Sequence, residues 1–398
     1  MPASDSQIVA ESARRALAAR SLQPADLPVV AGLDGFVDEI CDVVDKRSDP
    51  AHYTRIETIA DFAKRVAGAA GLSTNIEIVP RQVKLGGNGP IMANALVSYG
   101  FPLTYIGSVG VPNPHPVFHE LARRCRVISI ADPGHTDALE FKDGKLMMGK
   151  IEPIKQVNWE NLLANIAFDD MVRLFEEARL VALVDWSILP YATEVWQRVA
   201  SDVLPHAKPA EPPYFFFDLA DPEKRTVDEL REALAVIQSF RPFGRVIAGF
   251  NRKEADQVAW ALGVARRDEP KLPLPELTQR IGEKLDVWAT VVHPTEEAAG
   301  LFEGELFHVA GPYTPAPRLT TGAGDNFNAG LCTGVLLGLL PAEALLVGTA
   351  TSGFYVRQMH SPSLTELEAF LKVWANEGVE ALDRYESFSD TAVAVRGE

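Results

Sequence analysis

The chain has 398 residues, of which 47% are hydrophobic and 23% charged, with a formal net charge of −16. That is enough chain to bury a large core in one big α/β domain or two smaller ones, and its acidity argues against nucleic acid or anionic membrane as a partner. Three cysteines match no zinc spacing and fit a reducing cytoplasm, and no apolar run is long enough for a transmembrane helix. The first twenty residues lack the apolar core of a signal peptide. They read instead as an amphipathic helix within an N-terminal extension over residues 1–26.

Residues 27–33 (LPVVAGL) form a short apolar run, a buried strand that ends in Asp34 and Asp38. Carboxylates just past the carboxyl end of a central strand lie where α/β sheets bind ligands. Residues 45–80 are polar and helix-prone, then turn-rich. Gly86, Gly87, Asn88 and Gly89 make a tight turn, with Pro90 suited to the first position of the helix that follows. Strands are expected at 103–109 and 126–130, and a hairpin at 136–150 around the Asp143-Gly144 turn. The run 180–185 (LVALVD) reads as a strand buried on both faces, ending at Asp185-Trp186-Ser187. Trp186 there is either core or a stacking surface. Further strands are expected at 214–219, ending in Asp218, and at 245–250, feeding Asn251 and Glu254. That pair has the form of a capping box. A strand at 287–292 leads to His293-Pro294-Thr295, and Glu303-Gly304-Glu305 marks a hairpin.

The most informative stretch follows, RLTTGAGDNFNAGLCTGVLLGLL from Arg318. It reads as a glycine turn opening into a buried helix. Small residues let backbone approach a ligand, and the first N–H groups of a helix have no partner within it, so an anion is favoured there. Asp325 falls in the first turn. It either caps the helix or takes a proton from a hydroxyl attacking a phosphate held by the neighbouring amides. Two more helices are expected, one after Pro341 and one over 363–385, then a charged tail frayed beyond about Ser387.

TTGAGDNFNAG closely resembles the C-terminal signature of the ribokinase-like (phosphofructokinase-B type) kinases of sugars and nucleosides, and the likeness extends over about 350 residues. It implies a three-layer αβα sandwich, with a mostly parallel central sheet and a small β lid. The kinase domain would span 27–378, with lid segments near 36–45, 80–86 and 136–150 and a tail over 379–398. It also implies that Asp325 is the catalytic base and that the amides of Gly322, Ala323 and Gly324 form the anion hole. Asp38, then Asp34, with Gly86, Gly87, Asn88 and Asp185, would bind the acceptor. Thr321, Gly322, Gly324, Asn328, Thr295, Asn251 and Glu254 would bind the nucleotide. Asn251 and Glu254 match the family's Asn-x-x-Glu motif, which organises Mg2+ through water. Arg225 stands where the family has a phosphate ligand, and Glu140 and Lys150 could reach the acceptor from the hairpin.

Three positions depart from the family's pattern. Leu319 replaces an Asp or Asn. Ile91 replaces an Asn whose contact could pass to Asn88 or Asn94. His293-Pro294-Thr295 replaces Thr-x-Gly and a glycine-rich turn. The resulting expectation is a cytoplasmic sugar kinase, with ATP as co-substrate and a sugar or polyol as acceptor, and with a homodimer allowed for. The alternatives are a nucleoside kinase, whose base would need an aromatic slot from Phe36, Trp186 or Phe141, and a non-catalytic sugar- or nucleotide-binding sensor.

Overall fold

The computed structural model describes residues 3–388. Fourteen strands are present among them: β1 (Val29–Leu33), β2 (Phe36–Arg47), β3 (Tyr53–Arg55), β4 (Ile78–Gly86), β5 (Leu103–Gly107), β6 (Arg126–Ser129), β7 (Gly134–Phe141), β8 (Gly144–Lys150), β9 (Leu180–Leu183), β10 (Tyr214–Asp218), β11 (Arg245–Phe250), β12 (Ala289–Val292), β13 (Glu297–Phe302) and β14 (Glu305–Ala310). Nine of them make one sheet in the order β14-β13-β12-β11-β10-β9-β1-β5-β6. Its pairings are parallel except those of β12 with β13 and β13 with β14.

Strand periodicity explains why this sheet must be covered twice. Successive side chains point to opposite faces. Val29, Ala31, Leu180, Ala182, Phe216 and Ile247 join one apolar core. Val30, Val181, Leu183, Phe215, Phe217 and Val246 join the other. Helices cover both faces, giving the αβα sandwich. No helix among the described residues is long and apolar enough to cross a membrane.

A second sheet, β3-β2-β7-β8 with β4 also on β2, stands beside the first. Its small apolar core contains Cys41, Val43, Leu139 and Phe141. The stretch expected to turn helix-prone at residue 45 instead continues β2 to Arg47, because Val44 to Arg47 pair with Tyr53–Arg55. A helix follows at Ile59–Ala67.

The ends of the described chain are packed into the body. The helix Ala3–Ala19 buries Ala10, Ala13 and Leu17 in the core, and its Gln7 Nε2 donates to Ala375 O at 3.2 Å. The last helix stops at Glu377, because Gly378 has φ 85°, and a short turn of helix follows at Val379–Leu382. Phe388 is buried between Phe354 and Phe370. The tail is therefore part of the core up to 388, and the fraying expected beyond that lies outside the described residues.

Candidate active site

A cleft of about 1460 Å³ opens at the carboxyl ends of β1, β9, β10, β11 and β12 and beneath the second sheet. The glycine turn at residues 320–325 lies on its wall. Gly322 has φ 92° and caps the helix Ala323–Leu336. A Cβ there would lie 2.8 Å from Tyr355 Oη and 3.1 Å from Ile91 Cγ2, so only glycine fits. Tyr355 Oη in turn donates to Thr321 O at 2.9 Å and pins the turn. Asp325 occupies the first helical turn, lines the cleft and is buried. Burial, then the charges of Asp218, Asp34 and Glu254, push its carboxyl well above the usual range. A helix N-terminus favours the ionised form but does not offset that burial. Thr320, Thr321, Ala323 and Gly324 line the same wall.

On one side of Asp325 lie the acids of the first and ninth strands. Asp34 is fully buried, and its Oδ1 accepts the N–H of Gly89 at 2.8 Å. Gly86 leaves no room for a Cβ beside Asp38, nor does Gly87 (φ 95°) beside Asp34. Asp38 lines the cleft together with Gly87 and Asn88, whereas Asp34 and Gly86 lie behind them. On the second sheet Asp38 is in register with Lys84 and with Thr136. Asp185 lines the cleft with φ 61° and two buried oxygens that have no partner. Its carboxyl interacts electrostatically with that of Asp34. Burial pushes Asp34 up to about 6, and burial plus the Asp34 charge push Asp185 well up.

On the other side Asn251 and Glu254 cap the helix Arg252–Leu262 reciprocally. Glu254 N donates to Asn251 Oδ1 at 3.0 Å, and Asn251 N donates to Glu254 Oε2 at 2.9 Å. Both residues also line the cleft, so capping and ligand-facing positions coincide. Burial and the nearby Asp218 push the Glu254 carboxyl well up. Among the described residues no three His, Cys, Asp or Glu side chains cluster to cage a metal. Glu254 offers a single hard-oxygen carboxylate. That suits magnesium, which is held largely by water and substrate phosphates.

Several expected contacts fall elsewhere. Asn328 does not line the cleft: its Nδ2 donates to Asp218 Oδ2 at 2.9 Å beneath the floor, because the end of β10 draws the amide away from the open side. Asn94 accepts from Arg124 Nη1 at 3.0 Å, which leaves Asn88 as the asparagine at the cleft. Glu140 pairs with Arg81 and Lys145, and Lys150 pairs with Asp137, so neither lines the cleft. Trp186 is core, with Nε1 donating to Thr193 Oγ1 at 2.8 Å, and Phe141 packs inside the second sheet against Phe62. Of the three aromatic candidates only Phe36 lines the cleft. Arg225 does line it, though its guanidinium is held by Glu229, Ser187 O and Leu189 O.

Sequence reading missed Lys224, Lys253, Thr136, Ser187 and His293, all of which line the cleft. Lysines in the loops after β10, which ends in Asp218, and after β11, which feeds Asn251, were a usable signal. Thr136 opens the expected hairpin, Ser187 ends the Leu180 run and His293 opens the altered loop, but strand register and loop path bring all three to the cleft.

The family described as prokaryotic ketohexokinase matches residues 4–374. A ketohexokinase of Haloferax volcanii is 31% identical over 345 residues, which is 86% of this chain and 90% of that protein. Among solved structures, a ribokinase of Arabidopsis thaliana complexed with ribose and ATP superposes with a TM-score of 0.60 at 16% identity, over 88% of this chain and 99% of that one. An adenosine kinase of Sinorhizobium meliloti gives 0.58 at 18% identity, over 87% and 98%. At such identities these two likenesses speak for the fold.

Proposed function

The chain belongs to the prokaryotic ketohexokinase family and is a carbohydrate kinase of ribokinase-like fold, and we propose that it transfers the terminal phosphoryl group of ATP to a hydroxymethyl group of a ketohexose. The observation that carries this reading is the position of Asp325. It is a buried carboxyl in the first turn of a helix, beside the Gly322, Ala323 and Gly324 backbone, with cleft walls of opposite character on either side. Asp38, Asp185 and Asn88 offer hydrogen-bond partners for a polyol, and the Asn251/Glu254 pair with Lys224, Arg225 and Lys253 suits a phosphate chain. Of the three aromatics expected to form a nucleoside's base slot, Phe36 alone lines the cleft.

In this reading Asp325 takes the proton of the acceptor hydroxyl as its oxygen attacks the terminal phosphorus, and ADP leaves. Its raised carboxyl is the stronger base for that step. The N–H groups at the start of the helix face the charge that develops on the transferring group. Magnesium bound with the nucleotide supplies positive charge to the phosphate oxygens, and Asn251 and Glu254 would hold it through water. The second sheet acts as the lid that excludes water.

The test is ADP release by the purified protein with magnesium and ATP, across ketohexoses, aldoses, polyols and nucleosides. A ketohexose should be the best acceptor, and Asp325→Asn should lower turnover by about 10²–10⁴ with binding retained. Near-normal turnover by Asp325→Asn would overturn the base assignment, and silence across the whole panel would favour a non-catalytic binder.

A further inference from the structure

The second sheet turns every other residue of its strands toward the cleft. Met147, Gly149 and Ile151 line the cleft, whereas Lys150, between two of them, pairs with Asp137 instead. Thr136 stands opposite Gly149 across β7 and β8, and Asp38 stands beside Thr136 across β2 and β7. All three line the cleft, so one row of positions crosses three strands on that face: Asp38, Thr136 and the bare backbone of Gly149. Met147 and Ile151 stand on either side of Gly149, and both are exposed.

Four glycines lie in the strands of this sheet among the described residues, and the fold accounts for three of them. A Cβ on Gly86 would collide with the Asp38 carboxyl, and one on Gly134 with the Phe36 ring. Gly144 has φ 155° where the hairpin turns. Gly149 has none of these reasons. Its backbone is extended rather than left-handed. A Cβ there would meet only Ile151 Cγ2 at 3.4 Å, an ordinary contact. The pairing of β7 with β8 runs without a register shift, so no bulge calls for it either. Glycine inside a strand lowers stability, and it is found where a bulge, a bend or a closely approaching ligand needs it. The bulge and the bend are absent, which leaves the ligand.

We propose that Gly149 is a specificity-determining residue that makes room for the acceptor sugar; this rests on the kinase reading of the site. The sugar, held at Asp38, lies along the row past Thr136 and packs against the backbone at 149. Two strand spacings, about 10 Å, separate Asp38 from Gly149, a span that a sugar with its hydroxyls fills and a single hydrogen bond does not. Asp38 and Thr136 take hydroxyls, and Met147 and Ile151 offer apolar sides to the C–H groups. Any side chain at 149 competes with the sugar for that space. The Asn251/Glu254 wall, on the other side of Asp325, is untouched by it.

The test compares Gly149→Ala and Gly149→Val with wild type, by thermal melting and by steady-state kinetics of the full-length protein with magnesium, ATP and its best acceptor sugar. Gly149→Val should melt no lower than wild type, because strands favour valine over glycine. Its KM for the sugar should rise at least about tenfold, the size of one overpacked side chain, with Gly149→Ala in between, while the KM for ATP stays within about twofold. Met148→Val, on the other face of the same strand, should move neither constant. An unchanged sugar KM in Gly149→Val overturns the proposal alone. Equal rises in both KM values overturn it too, in favour of impaired closure of the sheet. A Gly149→Val chain that melts well below wild type or does not fold also overturns it, because the fold and not the acceptor would then demand the glycine. A wild-type protein that phosphorylates no sugar overturns the kinase reading and this proposal together.

Discussion

Asp34 Oδ1 accepts the backbone N–H of Gly89 at 2.8 Å, tying the end of the first strand to a turn 55 residues later. The bond explains why two acids follow this strand. Asp34 holds the glycine turn from behind, and Asp38 faces the cleft in front of it. Asp34→Ala should leave the Gly89 N–H buried and unpaired and cost about 1–3 kcal/mol, read as a lower denaturation midpoint. It should also raise the ketohexose KM by about tenfold while the ATP KM stays put, because the turn lies on the acceptor side. Equal changes in both constants would contradict that division.

Gly322 should tolerate no side chain. Its φ of 92° and the Tyr355 hydroxyl 2.8 Å from any Cβ force a Gly322→Ala turn to move. Loss of one aligned donor in such a site costs about 10²–10³ in turnover. We expect kcat to fall by about that factor, with the melting temperature changed by only a few degrees. A kcat within threefold of wild type would remove these amides from the mechanism.

The Asp34–Asp185 pair makes stability depend on pH. Both carboxyls titrate above their unfolded value of 3.8, so the folded chain holds more protons than the unfolded one. Their contribution is full below that value and is lost as pH rises, through about 6 for Asp34 and higher for Asp185. Asp185→Asn keeps the shape and removes the second ionisation. Its thermal midpoint should therefore fall less steeply than wild type between pH 6 and pH 8, measured by calorimetry about every half unit. Parallel curves would show that the pair is not the source.

Lys145 connects the second sheet, the proposed lid, to the glycine turn. Its Nζ lies 3.5 Å from Thr321 Oγ1 and 3.3 Å from Glu140 Oε1. Removing the ammonium should loosen closure and admit water as a competing acceptor. Lys145→Met should form more ADP per molecule of phosphorylated sugar than wild type does, by a factor of about two or more. A one-to-one ratio in the variant would free Lys145 from that role.

Much of this molecule is written in short stretches of chain. The run LVAL at Leu180–Leu183 and the run YFFFD at Tyr214–Asp218 are apolar on both faces, so each declares a strand covered twice. Gly322 to Asp325 and the Asn251/Glu254 pair are contiguous or three apart, and such spacings carry their own geometry: a turn, a cap, a first helical turn. The ribokinase-like fold and the kinase class were legible from these.

What the tertiary structure decided is which polar group meets which across long separations. Asn328 is three residues from Asp325, yet its amide turns to Asp218, 110 residues away. Asp34 and Asp185 raise each other's carboxyl because β1 and β9 lie side by side. His293 looks like an ordinary loop residue until the fold stacks its ring on Phe327 at the cleft wall. The physical reason is common to all three. Local propensity and hydrophobic period act over a few residues, whereas burial, desolvation and pairing are properties of groups that meet only once the sheet has formed.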